Sequence, residues 1–149
     1  MIRHIQDIHI RRSTDDVYDF VASHYADNHP RWDEDLVELR RLDQGPIAKG
    51  SRFVMKLRRG FGRIDEVVNE VVELVPGRCI AFRSGNPAME FNIAFNFDSV
   101  ADGTRLRVEV GAEPHGAMRL MSPMLRRGMP RIAARNTARI RELLETEAA

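Results

Sequence analysis

The sequence contains a single cysteine, Cys79, and no apolar run that approaches the ~20 residues of a membrane-spanning helix. One cysteine excludes a disulfide within the chain and a cysteine-based metal site, and its place before IAF indicates a core or strand residue. The N-terminal stretch MIRHIQDIHI does not have the pattern of a signal peptide. We therefore expect a cytoplasmic protein without stable membrane insertion.

Motifs for metal and nucleotide chemistry are also scarce. None of the five histidines pairs at the four-residue spacing of a helical zinc site, and no glycine-rich phosphate loop or Ser/His/Asp nucleophile motif occurs. We therefore predict no metal site and no cofactor. His24 and His29 flank a predicted short helix near Tyr25, Asp27 and Asp33, where a surface metal ion would be the alternative.

The formal net charge is only +1, but the charge is unevenly distributed. A basic cluster lies near the C-terminus and consists of Arg119, Arg126, Arg127, Arg131, Arg135, Arg139 and Arg141. A solvated helix face is the first interpretation, and attraction of an anionic head group, a membrane surface or a nucleic acid is the alternative. Because only Trp32 and two tyrosines could stack on bases, we predict no nucleic-acid partner.

Strand patterns fill the middle of the sequence. The stretch MEFNIAFNF, residues 89 to 97, alternates strictly, so that one face carries five large apolar side chains. Further strand-like runs are RHIQDIHIR, LVELRRLD, GSRFVMKLR, GRIDEVVNEVVEL, RCIAFRS and TRLRVEV, with turn segments such as DQGPIAKG, SGNPA and ADG between them. Short connections favour antiparallel pairing. The fourth strand is ambiguous, because it holds two Val–Val pairs and a bulge would exchange its faces.

Helical patterns flank the strands. Ser13 and Asp16 have capping-box spacing before DDVYDFVASH, a second short helix is predicted near ADNHPRWDEDL, and Ser122-Pro123 is predicted as N-cap and N1 of a long final helix. That helix carries an apolar stripe that should cover the β-sheet, and a kink is expected near Arg126–Pro130. The order predicts a two-layer α+β domain over residues 1–149, as a monomer or homodimer.

Several segments together resemble the START-like or SRPBCC superfamily, whose helix-grip fold is that of the birch-pollen allergen, and within it the polyketide cyclase/dehydrase-like branch. The supporting segments are STDDVYDFVA, HPRWDEDL, GPIAKGSRF, VVELVPGRCIAF, DGTRLRVEV and RIRELLE. The resemblance implies a curved antiparallel sheet of about seven strands wrapped on a long C-terminal helix, with two short helices after the first strand.

The resemblance also implies a function class. Similar proteins bind apolar or amphipathic molecules such as lipids and polyketides in a cavity between sheet and helix, and a minority catalyse cyclisation, dehydration or hydrolysis there. We expect a binding, transport or sensing function for such a small molecule. A cyclase/dehydrase-type enzyme and a co-chaperone-like protein-interaction module remain the alternatives, because fold does not choose between them.

Candidate site residues follow from the predicted inward faces. A cluster of methionines at the start of the final helix suggests a deformable cavity mouth. The predicted cavity lining is Phe53, Met55, Phe91, Ile93, Phe95, Leu106, Val108, Met121, Leu125, Met129, Ile132 and Asn136.

Catalytic groups are not evident in the sequence. The acid–base candidates are Glu66 and Glu70, which are interior only if the fourth strand points Ile64 and Val68 inward, and His4, which falls on the same row as Ile8.

Overall fold

The computed structural model describes residues 1–59 and 62–147. The strands are β1 Ile2–Ile10, β2 Leu36–Arg41, β3 Arg52–Arg58, β4 Ile64–Val75, β5 Cys79–Asn86, β6 Met89–Val100 and β7 Gly103–Pro114. The helices are α1 Thr14–Tyr18, a π-helical turn Asp19–Ser23, α2 Tyr25–Trp32, a 3₁₀-helix Gly116–Met121 and α3 Ser122–Thr146. This order of strands and helices agrees with the predicted one.

One antiparallel sheet holds these strands in the order β1-β7-β6-β5-β4-β3-β2. Strands from β2 to β7 lie beside their neighbours in sequence, whereas β1 joins the sheet next to β7. The turn between β6 and β7 is the predicted ADG segment. It requires glycine at Gly103, where φ is 148° and a Cβ would collide with the carbonyl oxygen of Ile10. The predicted α+β helix-grip architecture is confirmed.

The facing of β4 corrects the predicted acid–base candidates. Asn69 and Val71 are buried, so the alternate row with Glu66 and Glu70 faces away from the core. Glu70 Oε1 lies 3.8 Å from Arg52 Nε on that outer face. Val67 and Val71, one from each Val–Val pair, both face inward by simple alternation, and the pairing with β5 shifts register only after Val71. The two glutamates are therefore not interior groups.

The helix boundaries follow from local hydrogen bonding. Ser13 caps α1 as predicted, because its Oγ accepts a hydrogen bond of 3.1 Å from the Asp16 amide. Ser122, in contrast, already has helical φ and ψ values of −53° and −43°, since the 3₁₀-helix leads directly into α3, and the predicted N-cap is one residue late. The helix continues through Pro130 to Thr146. No described helix combines the length and apolar character needed to cross a bilayer.

The cover over the sheet is shared between α3 and the short helices. α3 packs chiefly against β1 and β7, with Ile140 and Leu144 in the core. The Tyr18 and Trp32 rings lie against Phe97 and Phe95 of β6, at centroid distances of 5.3 and 6.4 Å. The expectation that α3 alone covers this row is therefore only partly right. Along β6, burial is nearly complete at Phe95 and Phe97 and incomplete at Phe91 and Ile93, so space remains above the first half of the strand.

Candidate functional site: a cavity between the sheet and helices α2 and α3

A cavity of about 190 Å³ occupies the space above the first half of β6. Strands β3 to β7 form its floor, and α2 and α3 form its walls. Ile132 of α3 lines the cavity and is 39% exposed, so its side chain is in contact with both the cavity and solvent. The apolar lining comprises Trp32, Met55, Leu57, Phe91, Ile93, Phe95, Val108, Val110, Met129, Ile132, Ala133 and Ile140. An apolar small molecule entering this space would leave water on most sides.

Most of the predicted lining positions lie on the cavity wall. The structure places there Met55, Phe91, Ile93, Phe95, Val108, Met129, Ile132 and Asn136. Alternation along β3, β6 and β7 and the three- and four-residue steps of α3 identify these residues, because each pattern fixes which side chains face the space between sheet and helix. Their role in binding a ligand remains a prediction.

Four predicted lining residues lie elsewhere. Phe53 and Leu106 are fully buried in the main core, where Phe53 packs against the Tyr25 ring at 5.1 Å and is separated from solvent and cavity alike. Leu125 packs with Met129 and the start of β1 in a smaller cluster at the end of the sheet. Met121 belongs to the 3₁₀-helix and is not part of the cavity wall. Periodicity predicts which face of a strand or helix points inward. It does not predict which residues of that face line the cavity and which pack in the solid core.

His4, the third acid–base candidate, faces inward but does not line the cavity. Its Nε2 is 2.8 Å from Gln6 Oε1, and Gln6 Nε2 donates to Thr137 Oγ1 at 2.6 Å and to the Ala133 carbonyl at 3.3 Å. These bonds join β1 to α3 beneath the helix. The pair His4–Gln6 therefore satisfies polar groups at the helix–sheet contact and stands outside the candidate site.

A polar wall that the sequence did not reveal is formed by α2. Tyr25 is 2% exposed and lines the cavity, and its hydroxyl accepts a hydrogen bond of 2.9 Å from Nδ2 of Asn69, which is also 2% exposed. The same hydroxyl lies 3.9 Å from the Met55 sulfur. Burial, together with the negative charge of Asp33, raises the pKa of Tyr25 far above that of an exposed phenol, and the Asn69 hydrogen bond opposes this only in part. Tyr25 is therefore a neutral donor at any physiological pH.

His29 and Asp33 continue this wall one and two turns further along α2. His29 Nε2 lies 3.4 Å from Asp33 Oδ2, and both side chains are 11% exposed. Arg135 of α3 reaches Asp33 Oδ1 at 3.3 Å and Asp35 Oδ2 at 2.9 Å. Burial alone would raise the pKa of Asp33, but the hydrogen bond and charge of His29, and then Arg135, outweigh it, so the pKa lies below the ordinary value. The imidazole is thereby held by an ionised carboxylate.

The other imidazole nitrogen, His29 Nδ1, is buried and has no hydrogen-bond partner among residues 1–59 and 62–147. The ring lies between those of Tyr25 and Trp32, at centroid distances of 4.8 and 5.1 Å. A buried polar atom without a partner is costly and uncommon in native proteins. Its presence on a cavity wall marks this end of the cavity as the place where a polar group would be accommodated.

A spacing signal for this wall was present in the sequence. Tyr25, His29 and Asp33 recur every four residues and therefore share one face of α2. The sequence interpretation considered His29 and Asp33 only as neighbours of a surface metal ion. A short helix does not reveal from its sequence which face it buries, and Pro30 and Arg31 between these positions obscure the pattern.

Further polar groups line the cavity. Arg59 lines it and stacks its guanidinium over the Phe91 ring, 5.9 Å from the centroid, while its Nε lies 3.6 Å from Asp65 Oδ2. Asn136 on α3 accepts a hydrogen bond of 3.2 Å from Arg135 Nε through its Oδ1. The predicted polar residue on the apolar stripe thus joins the cavity wall to the Asp33–Arg135 network.

Metal-ligand side chains come together away from the cavity. Ligand atoms of Glu90, Glu113 and His115, at one end of β6 and β7, all lie within 4.8 Å of one another. None of these three residues lines the cavity. The expectation of no metal site remains a prediction.

Comparison with known proteins gives a family and a fold. The model of the family described as "Polyketide cyclase / dehydrase and lipid transport" matches residues 1–145. No curated protein matches the sequence.

Among solved structures, the di-domain ARO/CYC StfQ from the steffimycin biosynthetic pathway superposes with a TM-score of 0.80 at 15% identity, covering 99% of this chain. The chain spans about half the length of that protein, 52%. The protein TTHA0849 from Thermus thermophilus gives 0.77 at 12% identity, with 99% of both chains covered. Ara h 8.0201 gives 0.76 at 7% identity, covering 97% of this chain and 98% of the other. These similarities show that the helix-grip fold spans nearly the whole chain.

Proposed function

The chain belongs to the polyketide cyclase/dehydrase and lipid transport family, and from this premise we propose that its cavity binds an apolar or amphipathic small molecule. The observation that carries the proposal is the partly covered space above Phe91 and Ile93, with apolar walls and one polar side on α2. In this proposal residues 1–149 act as one ligand-binding domain. A partly covered cavity of about 190 Å³ favours a compact molecule over a docked protein segment.

The volume sets the size of the ligand. An apolar cavity of ~150 Å³ takes up benzene, so one of about 190 Å³ suits a substituted ring or two fused rings. Burying ~200 Å² of apolar ligand surface at ~25 cal/mol per Å² gives ~5 kcal/mol, which corresponds to a Kd on the order of 0.1 mM. A hydrogen bond to the polar wall would add to this affinity. The proposed ligand is therefore a small aromatic or alicyclic molecule with one polar group.

The polar wall supplies the orientation. Tyr25 and Asn69 form a buried hydrogen-bonded pair on one side of the cavity, and His29 with Asp33 lies next to it on the same helix. A hydroxyl or carbonyl of the ligand would face these groups while its rings lie against Phe91, Ile93 and Met129. Few polar groups in an otherwise apolar cavity fix orientation more than they fix chemical identity.

The test is calorimetric titration with 2-naphthol, whose two fused rings and hydroxyl match this description. Met129→Trp places a larger side chain on the cavity wall and should weaken binding at least tenfold while the protein stays folded. Met124→Trp is the matched control, because Met124 lies on the same helix, is 65% exposed and does not line the cavity. Equal affinities of the two variants would contradict the proposal.

Native mass spectrometry of the freshly purified protein provides a second readout. The spectrum is compared before and after denaturation and organic extraction. A small aromatic or polyketide-like mass that is lost on extraction supports the cavity as a binding site and identifies the class of ligand.

A second candidate function is proton transfer in a cyclase/dehydrase-type reaction, and it is favoured by the His29–Asp33 pair beside Tyr25. An imidazole oriented by a carboxylate can accept a proton from carbon next to a ligand carbonyl, and Tyr25 is positioned as a neutral donor to the resulting enolate oxygen. His29 would then return the proton to the product. The distance of 3.4 Å between Nε2 and Oδ2 suits an orienting contact.

Deuterium exchange into 2-tetralone tests this second function separately from binding. The protein should accelerate exchange at the carbons next to the carbonyl, and His29→Gln should remove the acceleration while leaving 2-tetralone affinity within a few fold. Exchange at the rate of a buffer blank, with binding intact, would leave a binding protein without this activity.

A further inference from the structure

The 3₁₀-helix and the first turns of α3, residues 118–132, carry large apolar side chains that no other part of the described chain covers. Leu120 is 85% exposed and Met124 is 65% exposed. Ile132, at 39%, continues this surface to the cavity wall. Exposed apolar side chains such as Ile5 of β1 and Ile64 of β4 lie on separate strands of the sheet. We call residues 118–132 the apolar–basic surface.

The same surface concentrates positive charge. The sequence has seven arginines and no aspartate or glutamate between Glu113 and Glu142. Four of these arginines, Arg119, Arg126, Arg127 and Arg131, are exposed and form neither an ion pair nor a hydrogen bond with the residues that the structure describes. The later part of α3 differs, because Arg135 and Arg139 are both paired with carboxylates. Uncompensated charge and exposed apolar groups thus occupy the same end of the helix.

Exposed apolar and arginine side chains lie on the same face of α3. Met124, Arg127 and Arg131 are separated by three and four residues, so they share the face of α3 that points away from the sheet, opposite the buried Met129 and Ala133. Arginines that flank bulky apolar side chains are typical of helices that lie in the interface of a bilayer, with apolar groups at the acyl boundary and guanidinium groups among anionic head groups.

The composition favours a lipid surface over a nucleic acid. Proteins that hold single strands combine basic grooves with aromatic platforms, and no aromatic residue follows Phe97 in the sequence. The exposed apolar groups here are leucine and methionine. Their transfer out of water is favourable, but they offer neither an aromatic ring for stacking on bases nor a hydrogen-bonding group. A solvated helix face would gain nothing from exposing Leu120 and Met124.

We propose that residues 118–132 dock the protein reversibly on an anionic lipid bilayer. Docking through this surface places Ile132, and with it this part of the cavity wall, next to the membrane. The proposal does not depend on what the cavity binds, and its test uses vesicles without any added ligand.

The test is co-sedimentation of the full chain with vesicles of phosphatidylcholine alone and of phosphatidylcholine mixed with phosphatidylserine, at low and high salt. Binding should require phosphatidylserine and weaken as salt rises. Each interfacial arginine contributes about fivefold, so Arg126→Gln/Arg127→Gln/Arg131→Gln should weaken binding on the order of 100-fold. Leu120→Ser/Met124→Ser should also weaken it on the order of 100-fold.

Matched controls carry the same changes on the sheet. Arg40→Gln/Arg58→Gln/Arg83→Gln removes three other exposed arginines, and Ile64→Ser/Val68→Ser removes two other exposed apolar side chains. Both should bind vesicles as the unchanged protein does. Far-UV circular dichroism confirms that each variant is folded, and the lipid and salt dependence of the unchanged protein tests the proposal without any variant.

Several results would overturn the proposal. These are equal binding to both kinds of vesicle, no vesicle binding, or equal losses in the control variants. Tighter binding to an RNA duplex than to vesicles would assign the arginines to a nucleic acid. Self-association that Leu120→Ser/Met124→Ser abolishes, without vesicle binding, would assign the surface to a second copy of the chain.

Discussion

Replacing Ala133 by leucine should stabilise the protein and at the same time weaken its binding of a ligand. Ala133 is 6% exposed and lines the cavity, so a larger side chain there enters open space instead of displacing packed neighbours. Leucine adds three carbons, worth ~0.8 kcal/mol each, and loses ~0.5–1 kcal/mol of rotamer entropy, which leaves a gain of ~1.5 kcal/mol. For a chain of 149 residues this is a rise in Tm of roughly 3–6 °C.

Two control variants separate this effect from others. Ala22 is 1% exposed in the solid part of the core, where Ala22→Leu should cost ~1–3 kcal/mol through overpacking. Ala138 is exposed on α3, so Ala138→Leu should change stability by less than ~0.5 kcal/mol. Urea unfolding followed by the fluorescence of the single tryptophan, Trp32, measures all three, and calorimetry with 2-naphthol measures binding.

The signs of these changes decide the outcome. If Ala133→Leu lowered the free energy of unfolding as much as Ala22→Leu does, no usable space would exist beside α3, and the cavity could not be a binding site. Stabilisation without any loss of 2-naphthol affinity would place the ligand elsewhere on the protein.

Two further predictions concern the polar wall. Tyr25→Phe leaves the buried Asn69 amide without its acceptor and should cost ~1–3 kcal/mol, whereas Tyr25→Phe/Asn69→Leu should cost less than the sum of the single changes in urea unfolding. Additive losses would mean that the hydrogen bond is unimportant. The free energy of unfolding should also depend on pH at both extremes. The lowered pKa of Asp33 contributes stability that is present above about pH 4 and lost as pH falls below it, and Asp33→Asn should flatten this acid limb. The raised pKa of Tyr25 contributes stability that is present below about pH 10 and lost as pH rises further, so an alkaline limb unchanged in Tyr25→Phe would contradict its assignment.

Much of the architecture was predictable from the sequence because it depends on strong local patterns. The alternation of residues 89–97 predicts a strand with one apolar face, Ser13 marks the start of a helix, and Gly103 marks a turn between two strands. Together these signals give the sequence order of the elements. The facing of β4 was not predictable. A bulge changes the face of every later residue, and two Val–Val pairs suit either register.

The candidate site was predictable only in part, for a related reason. Alternation along the strands and the three- and four-residue steps of α3 tell which residues face inward, and these patterns identified Phe91, Ile93 and Met129. Such patterns do not tell where the sheet and the helices above it leave a gap. Phe53 and Leu106 were therefore assigned to the cavity, although they belong to the packed core. The polar wall depends on which face a single eight-residue helix buries, and that is decided by its contacts with β6 and α3.

The contact between the first strand and the last helix has a consequence for the making of this protein. Among the described strands β1 pairs with β7 alone, and Gln6 bonds to Ala133 and Thr137, which lie more than a hundred residues later in the chain. During synthesis, β1 and the apolar faces of α1 and α2 stay uncovered until β7 and α3 have been made. Long-range contacts of this kind slow folding and expose apolar surface meanwhile. The cavity therefore forms only after α3 has left the ribosome and packed over the sheet.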